Sequence, residues 1–574
     1  MQYPDRLNPD LLERIPLGAR VVVDVGCATG ALGAEYKRRN PGARVIGIER
    51  DKMAAKLAAS RLDTVHIADL DEDVASLRVE IENGSVDCLI YGDVLEHLRD
   101  PWNVLAHHAA WLSPGGVVLI CMPNAEHWSF AERLLRGTWD YEEQGLFDST
   151  HLRWFTADTV RFMLRRSSLT PVDVIPRIFD RAAAESFVDA MSPALRHLGI
   201  NRDAYLQRAA PIQHVWRATR QPSTPRLHIV STMLNPVGGV SHVRVMEPMQ
   251  ALAADPSLLT DVIGVLDPPP DTAGAPRIFI FHRPLLAGDH GLERVRALLD
   301  QGWLVLCEFD DHPDYIPVLQ RSDIQNFRAV HAIQTSTQPL ADVLRRQNPE
   351  IAVFPNAVMR LPDIRNHMTP DRTTLFFAGL NRENEWPPYL QALNNVAARA
   401  GGRLHFQIVN DRGLFDALQT PYKSYTPLCD YETYQSLLGA SEISFMPLLD
   451  TPFNRCKSDL KFIEAAAHRV VALASPIVYG ASIEDGQTGV LFRDAQELEQ
   501  RLSRLVANPD IGRGIGDAAR AFVEKGRMLA HQVAQRSQWY HSLWARREEL
   551  HQALLVRVPE LASPKMHAAF SMAD

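Results

Sequence analysis

The stretch VVVDVGCATGALG, residues 21 to 33, constrains this chain more than any other. An apolar run reaches Asp24, Gly26 and Gly30 bracket a short turn, and a helix-like segment follows. That order reads as strand, glycine turn and helix. Glycine lets the backbone approach a ligand with no Cβ in the way. Nineteen residues after Gly30, Glu49 ends the next apolar run in VIGIER, where its carboxylate is placed to accept both hydroxyls of an adenosine ribose. Two kinds of adenosine ligand compete for such a turn. A dinucleotide seats a pyrophosphate there, usually over G-x-G-x-x-G. Here the spacing is Gly26-x-x-x-Gly30, and Asp24 adds a negative charge that repels a pyrophosphate but suits an ammonium group. The N-terminus of the following helix suits a carboxylate. An adenosine carrying an amino acid has both charges. S-adenosylmethionine is the expected ligand, with a dinucleotide or a ligand-free turn as the alternatives.

The segments that follow resemble the class I methyltransferases. VHIADL sets Asp69 after a third strand, VDCLIYGDVLEHLRDPWNVL is a fourth strand leading through Asp93 into a loop and helix, and LSPGGVVLICMPN is a fifth. GTWDYEEQGLFDSTHLRWFT resembles the substrate-side segment of bacterial methyltransferases encoded among surface-glycan genes. The resemblance runs from about residue 8 to 217. It implies a Rossmann-like fold that binds the cofactor through Asp24, Gly26, Gly30, Glu49, Asp69 and Asp93. One departure is Ala28, where the family often has a third glycine; a methyl group fits there if the turn keeps φ below zero.

Composition sets broad limits. A chain of 574 residues suits roughly three to four folding units. Its net charge of -9 gives no sign of a nucleic-acid partner, which needs a clustered basic face. The six cysteines lack metal-type spacing, so buried reduced thiols and a cytoplasmic location are expected. No signal-peptide core and no long apolar run is present in the sequence, which leaves at most peripheral attachment at the inner face of a membrane.

The chain changes character at RATRQPSTPR, residues 217 to 226, where polar residues and prolines read as a linker. Two series of alternating strand and helix patterns follow, the first opening at LHIVSTML and the second at TLFFAGL. They imply two doubly wound lobes with a cleft between them. The expected division is a first domain over 1–218, a linker over 219–226, one lobe over 227–368, a second over 369–545 with a final helix crossing both lobes, and a tail over 546–574.

Residues 225 to about 545 resemble the GT-B glycosyltransferases, especially the retaining family four. The resemblance rests on the Gly238-Gly239 turn, on FPNAV, on FFAGLNRENEW, and above all on NRCKSDLKFIEAAAHRVVALASPIVYGASIEDGQTGVLF. It implies that Glu464 grips the ribose of a nucleotide sugar. Departure of a nucleoside diphosphate builds charge on the leaving phosphates, so fixed donors must wait there. Lys457, Lys461 and Arg382 are the candidates, with Gly239 facing them from the first lobe; a solvated lysine pair on a helix face is the alternative. The family's second glutamate, eight residues before Glu464, is replaced by Cys456, and Asp459 is the residue nearest to cover the lost sugar contact. The fold class is thus α/β, a Rossmann-like methyltransferase domain followed by a two-lobed GT-B glycosyltransferase.

Methyl transfer is an in-line displacement, so positioning supplies much of the rate and a general base the rest. His151, His97 and His127 lie in loops that the family places near the acceptor, in that order of preference, against a structural role for each. Asp93-x-x-Glu96-His97 resembles the set with which some O-methyltransferases of quinone and small-RNA substrates hold a divalent ion; a helix cap and hinge is the alternative, and no metal is expected. In the second half, His282 ends IFIFH facing the expected cleft and is placed to activate an acceptor hydroxyl. Asp310 and Asp311 in EFDDHPDYIP read as a helix cap or acceptor contact and not as a metal pair. The expected function is a bifunctional enzyme of bacterial surface-glycan synthesis that methylates a sugar hydroxyl and transfers a sugar with retention. Its partners would be S-adenosylmethionine, a nucleotide sugar and a glycan or lipid-linked oligosaccharide acceptor. The alternative is that one half is a degenerate glycan-binding or scaffolding module, with Cys456 marking the second half as the candidate.

Overall fold

The computed structural model describes residues 5, 7–72, 81–221, 225–234, 238–266, 275–364 and 371–562. The chain divides into two compact units, Met1–Pro225 with Ala254–Ser257, and Arg226–Ala253 with Leu258–Asp574. Residues 222–224 of the expected linker and 563–574 of the expected tail lie outside the described residues.

The first unit is built on β1 (Val21–Val25), β2 (Arg44–Glu49), β3 (Thr64–Ile67), β4 (Val86–Gly92), β5 (Leu112–Pro123), β6 (Thr170–Arg177) and β7 (Gln213–Thr219). Their order across the sheet is β3-β2-β1-β4-β5-β7-β6. All neighbours are parallel except β7, which runs antiparallel to both β5 and β6. Near-continuous Val, Ile and Leu in β1, β2 and β4 is what burial on both faces requires. Val23, Leu89 and Ile120 face one core cluster and Val22, Ile90 and Leu119 the other. The order reverses between β1 and β4, and at such a switch point the strands' carboxyl ends open a crevice.

The second unit holds two further sheets. The first lobe has β8 (Leu227–Thr232), β9 (Leu258–Ile263), β10 (Arg277–His282), β11 (Leu304–Glu308), β12 (Ala332–Thr335) and β13 (Ile351–Val353), in the order β13-β12-β11-β10-β8-β9. The second has β14 (Thr373–Ala378), β15 (Leu404–Val409), β16 (Lys423–Thr426), β17 (Ile443–Met446), β18 (Val471–Ala474) and β19 (Val490–Leu491), in the order β16-β15-β14-β17-β18-β19. Every pairing in both is parallel. The fold class is the expected α/β one: three Rossmann-like sheets, one in the first unit and two in the second, each of these two forming a lobe.

Residues 546–562 correct the expected tail. A helix spans Arg547–Arg557, and its Leu554, with Val558 and Leu561 beyond it, belongs to the apolar core of the first lobe. The preceding helix, Val533–Ala545, sends Tyr540 to donate to Gln334 Oε1 at 2.6 Å on β12. Leu543, Leu550 and Leu554 on these helices are therefore core residues, whose loss would open a cavity. Among the described residues no helix is long and apolar enough to cross a membrane. All six cysteines are free thiols, five buried and Cys429 half-buried.

Candidate functional site

In the first unit a cleft of ≈ 480 Å³ opens at the carboxyl ends of β1, β2 and β4. Gly26, Glu49, Asp69 and Asp93 line it, as do Glu96, His97 and His151. Gly26 has φ +72, and a Cβ there would lie 2.4 Å from Val94 Cγ2, so the strand can turn beside the cleft only as glycine. Glu49 is buried and its two oxygens accept the backbone N–H of Ala28 and of Asp51, each at 2.8 Å. A carboxylate offers about four lone pairs, which leaves acceptor capacity for ribose hydroxyls.

Three expectations change here. Ala28 adopts φ +46, in the left-handed region, so its methyl group is accommodated at a strained position and not by φ below zero. The Glu49 hydrogen bond to its N–H helps to hold that turn. Asp24 and Gly30 are not among the residues that line the cleft. Asp24 is buried in β1, and burial reinforced by the charge of Glu49 lifts its carboxyl to about 7. His127 does not line the cleft either. It caps the helix Trp128–Arg136, with Nδ1 2.7 Å from Ser129 Oγ.

The cleft also gathers groups far apart in sequence. The Glu96 carbonyl accepts the N–H groups of Leu152 and Arg153 at 2.8 and 3.0 Å. That clamp brings His151 against His97, with ring centroids 4.8 Å apart. His97 Nδ1 lies 3.2 Å from the Thr150 carbonyl and His151 Nδ1 3.2 Å from the Leu146 carbonyl. Those partners assign the proton to Nδ1 in each ring and leave the Nε2 lone pair open. Burial lowers both imidazole pKa values, so both rings are neutral at pH 7. Glu96 is 1% exposed, and neither of its carboxylate oxygens has a hydrogen-bond partner. Burial, then the charge of Asp93, drives its carboxyl well above the usual range. Asp93 itself has φ +57 and accepts from Gln213 Nε2 at 2.5 Å.

The ligand atoms of Glu96, His97 and His151 all lie within 4.8 Å of one another. The grouping differs from the one expected: His151, 54 residues beyond His97, replaces Asp93 in it. An orphaned buried carboxylate beside two imidazoles with open Nε2 atoms fits a divalent ion.

In the second unit Gly239 and Glu464 come together from opposite lobes. A Cβ at Gly239 would stand 2.8 Å from the Tyr431 ring and 3.6 Å from Glu464 Oε1. Glu464, 6% exposed, accepts Tyr431 Oη at 2.7 Å and Gln435 Nε2 at 3.0 Å on one oxygen, and Tyr434 Oη at 3.1 Å on the other. Burial lifts its carboxyl to about 7 despite those donors. Lys461 donates to the Ala378 carbonyl at the end of β14. Burial and the nearby charge of Arg382 lower its amine to about 7.

The remaining candidates have internal partners. Lys457 Nζ lies 3.0 Å from Asp311 Oδ1 on the first lobe. Arg283 bridges Asp310 and Asp311 at 2.7 and 3.0 Å, so the paired acids are salt-bridged and the cap or acceptor reading of them gives way to this network. Asp459 is committed to Arg527 and Ser482, which overturns it as a substitute for the missing sugar contact. Cys456 is buried among first-lobe core residues. Arg382 lies 3.6 Å from Glu385, and His282 is buried at the end of β10 with its Nε2 unpartnered.

Residues 2–174 match the protein family described as "Methyltransferase domain", so the first unit carries a methyltransferase domain. A ubiquinone biosynthesis O-methyltransferase of Ralstonia nicotianae is 33% identical over 152 residues, covering 24% of this chain and 62% of the relative. A trans-aconitate 2-methyltransferase of Azoarcus sp. is 34% identical over 134 residues, covering 23% of this chain and 51% of the relative. The chain thus spans under two thirds of the length of these curated relatives. Among solved structures, sucrose-phosphate synthase of Thermosynechococcus elongatus is 16% identical with a TM-score of 0.42, covering 56% of this chain and 100% of that one. A structure of S. aureus TarM is 13% identical with a TM-score of 0.36, covering 46% and 55%. A SAM-dependent methyltransferase from Archaeoglobus fulgidus is 18% identical with a TM-score of 0.27, covering 37% and 90%.

Proposed function

We propose that the first unit transfers a methyl group from S-adenosylmethionine to a hydroxyl of a bacterial surface glycan. The observation that carries this is one cleft that gathers two chemically different sets of residues. Gly26, Glu49 and Asp69 suit an adenosine, and Glu96, His97 and His151 suit a hydroxyl. A His151 or His97 Nε2 lone pair accepts the hydroxyl proton as the oxygen attacks, and the sulfonium leaves as a neutral thioether. The orphaned Glu96 carboxylate favours a second form of the same reading, in which Glu96, His97 and His151 hold a divalent cation. Such an ion, when bound, would orient the hydroxyl and lower its pKa. Calorimetry with S-adenosylhomocysteine, then with Mn²⁺, tests both. Absence of cofactor binding sinks the methyltransferase reading, and absence of ion binding leaves the histidine as base.

For the second unit we propose sugar transfer from a nucleotide sugar with retention of configuration. Support comes from the convergence of Gly239, Glu464, Lys461 and Arg382 at facing ends of two doubly wound lobes. The enzyme would work in the cytoplasm, at most peripherally attached to the inner face of the membrane. The internal partners of Glu464, Lys457 and Asp459 favour a second reading, a half that binds glycan without catalysis. Incubation with mixed nucleotide sugars and an oligosaccharide panel, read by mass spectrometry, separates the two. A sugar-transfer product, or hydrolysis of a nucleotide sugar, excludes the non-catalytic half.

A further inference from the structure

His151, which lines the cleft, also touches an aromatic group that lies outside it. The His151 ring stands edge-on to Trp154, with centroids 5.5 Å apart, and Trp154 stands edge-on to Trp139 at 5.9 Å. Each indole is 37% exposed, and both rest on a firm base. Phe130 and Phe147 are buried beneath them, with ring centroids 4.7 Å apart, in a cluster with Leu146. Arg133 lies over Phe147 at 3.6 Å, donates to the Asp140 carbonyl at 2.8 Å and pairs with Glu142, which clamps the loop onto its helix. Two large aromatic rings are thus held rigid, half in water, in line with the reactive histidines. Exposed apolar surface of this kind, in contact with a residue of a cleft, marks a place where something binds.

The surroundings define the occupant. Residues 138–155 carry Asp140, Glu142, Glu143 and Asp148 against Arg153, and Arg133 of the adjoining helix offsets Glu142, so the balance around the rings stays acidic. That charge repels the anionic surface of a membrane, and it repels phosphorylated or uronic acceptors as well. Aromatic faces interleaved with carboxylates and an amide, Gln144, match a neutral sugar chain. The C–H face of each ring packs on an indole, and its hydroxyls donate to the acids around it. An alkyl or polyprenyl chain would use the rings alone and make no use of the polar groups between them.

We propose that Trp154 and Trp139 form successive acceptor subsites for an uncharged oligosaccharide, whose terminal residue reaches His151. The inference rests on the methyltransferase reading of the cleft. Protein loaded with S-adenosylhomocysteine is titrated with neutral hexose methyl glycosides, mono- to tetrasaccharides, followed by tryptophan fluorescence and calorimetry. Uronic and phosphorylated counterparts are titrated alongside. Affinity for the neutral series should rise with chain length, by about five- to tenfold between mono- and trisaccharide. The gain should vanish in Trp154→Ala and Trp139→Ala and persist in Trp154→Tyr, a variant that keeps a ring if the alanine protein folds poorly. S-adenosylhomocysteine affinity should stay at the wild-type value in all of them. A gain that survives both alanine variants, an absence of any gain with length, or equal binding of the anionic series overturns the proposal. Saturable binding to phosphatidylglycerol vesicles that the same variants lose, with no saccharide binding, overturns it in favour of a membrane contact. Failure of the wild type to bind S-adenosylhomocysteine would show that the methyltransferase reading, and this inference with it, has failed.

Discussion

The two candidate sites treat their buried charges in opposite ways. In the cleft of the first unit, Glu96 is buried with both carboxylate oxygens unpartnered beside two open Nε2 atoms. In the second unit, Glu464 is buried with three side-chain donors on its oxygens, and Lys457 and Asp459 are ion-paired. A buried carboxylate left without a partner costs folding free energy, so the protein retains it where a ligand supplies the missing partner. A self-satisfied site has the reverse property. It is stable when empty, and its ligand must displace internal hydrogen bonds. The first site is laid out for immediate binding and the second is held closed on itself.

The largest effect should come from His151→Ala. It removes the proton acceptor or a metal ligand, and should slow methyl transfer by about 100- to 10,000-fold while cofactor affinity holds. Single-turnover kinetics would read this directly, and a loss below tenfold would remove His151 from the chemistry. Glu49→Ala should come next. It takes away the ribose contact and the brace on the left-handed Ala28 turn, and should weaken S-adenosylhomocysteine binding by about 1.5–3 kcal/mol in calorimetry. Unchanged affinity would place the cofactor elsewhere.

Glu96→Gln sharpens the contrast through stability. The folded-state pKa of Glu96 is raised above its unfolded value. Below the unfolded pKa both states are protonated and the acid costs nothing; as pH rises, the unfolded chain sheds its proton first and the folded state is penalised. The variant should therefore be more stable than wild type by about 1–3 kcal/mol at pH 8 and equal to it near pH 4. Thermal melts at the two pH values measure this. Equal stability at both would mean that the carboxylate is partnered after all.

The parts of this architecture with a local sequence signal were legible, and the parts made by distant packing were not. Apolar runs, the Gly26 turn and Glu49 lead to a Rossmann-like series, because each strand–turn–helix step is encoded within a short stretch of chain, while the order β3-β2-β1-β4-β5 across the sheet comes from the structure. Glu96 and His97 stood out through their adjacency. The arrival of His151 depends on the Glu96 carbonyl holding residues 152 and 153, which no local pattern announces. Alanine likewise gives no hint that position 28 takes φ +46. Tyr431, Tyr434 and Gln435 carry no local motif; they lie on one helix, Tyr431–Gly439, and only tertiary packing aims all three at the Glu464 carboxylate. Helix Arg547–Arg557 shows a weakly amphipathic pattern, so its core residues were read as a tail.

Tyr431→Phe tests the closed state of the second site at a single atom. The variant keeps the ring against Gly239 and His242 but removes the hydroxyl from Glu464 Oε1. With one competing hydrogen bond gone, a nucleoside diphosphate should bind about fivefold more tightly, the equivalent of roughly 1 kcal/mol. Weaker binding in calorimetry would instead make Tyr431 part of the nucleotide site, and the contrast between the two sites would lose its second half.

The smallest expected effect is none at all, and it examines whether the two sites are separate machines. Each unit has its own sheets and core clusters, and each gathers its candidate residues from its own strands and loops. Glu464→Ala should lower sugar transfer by weakening the hold on the donor, while methylation of a preformed glycan proceeds at the wild-type rate. The substitution also frees Tyr431, Tyr434 and Gln435 from a shared carboxylate, so the second unit should loosen locally, which hydrogen exchange over residues 431–439 would detect. Steady-state assays of both reactions on the same preparation decide the matter. A fall in methyl transfer, with circular dichroism unchanged, would mean that strain released around Glu464 reaches the Glu96 cleft, and the two sites would then have to be treated as one coupled system.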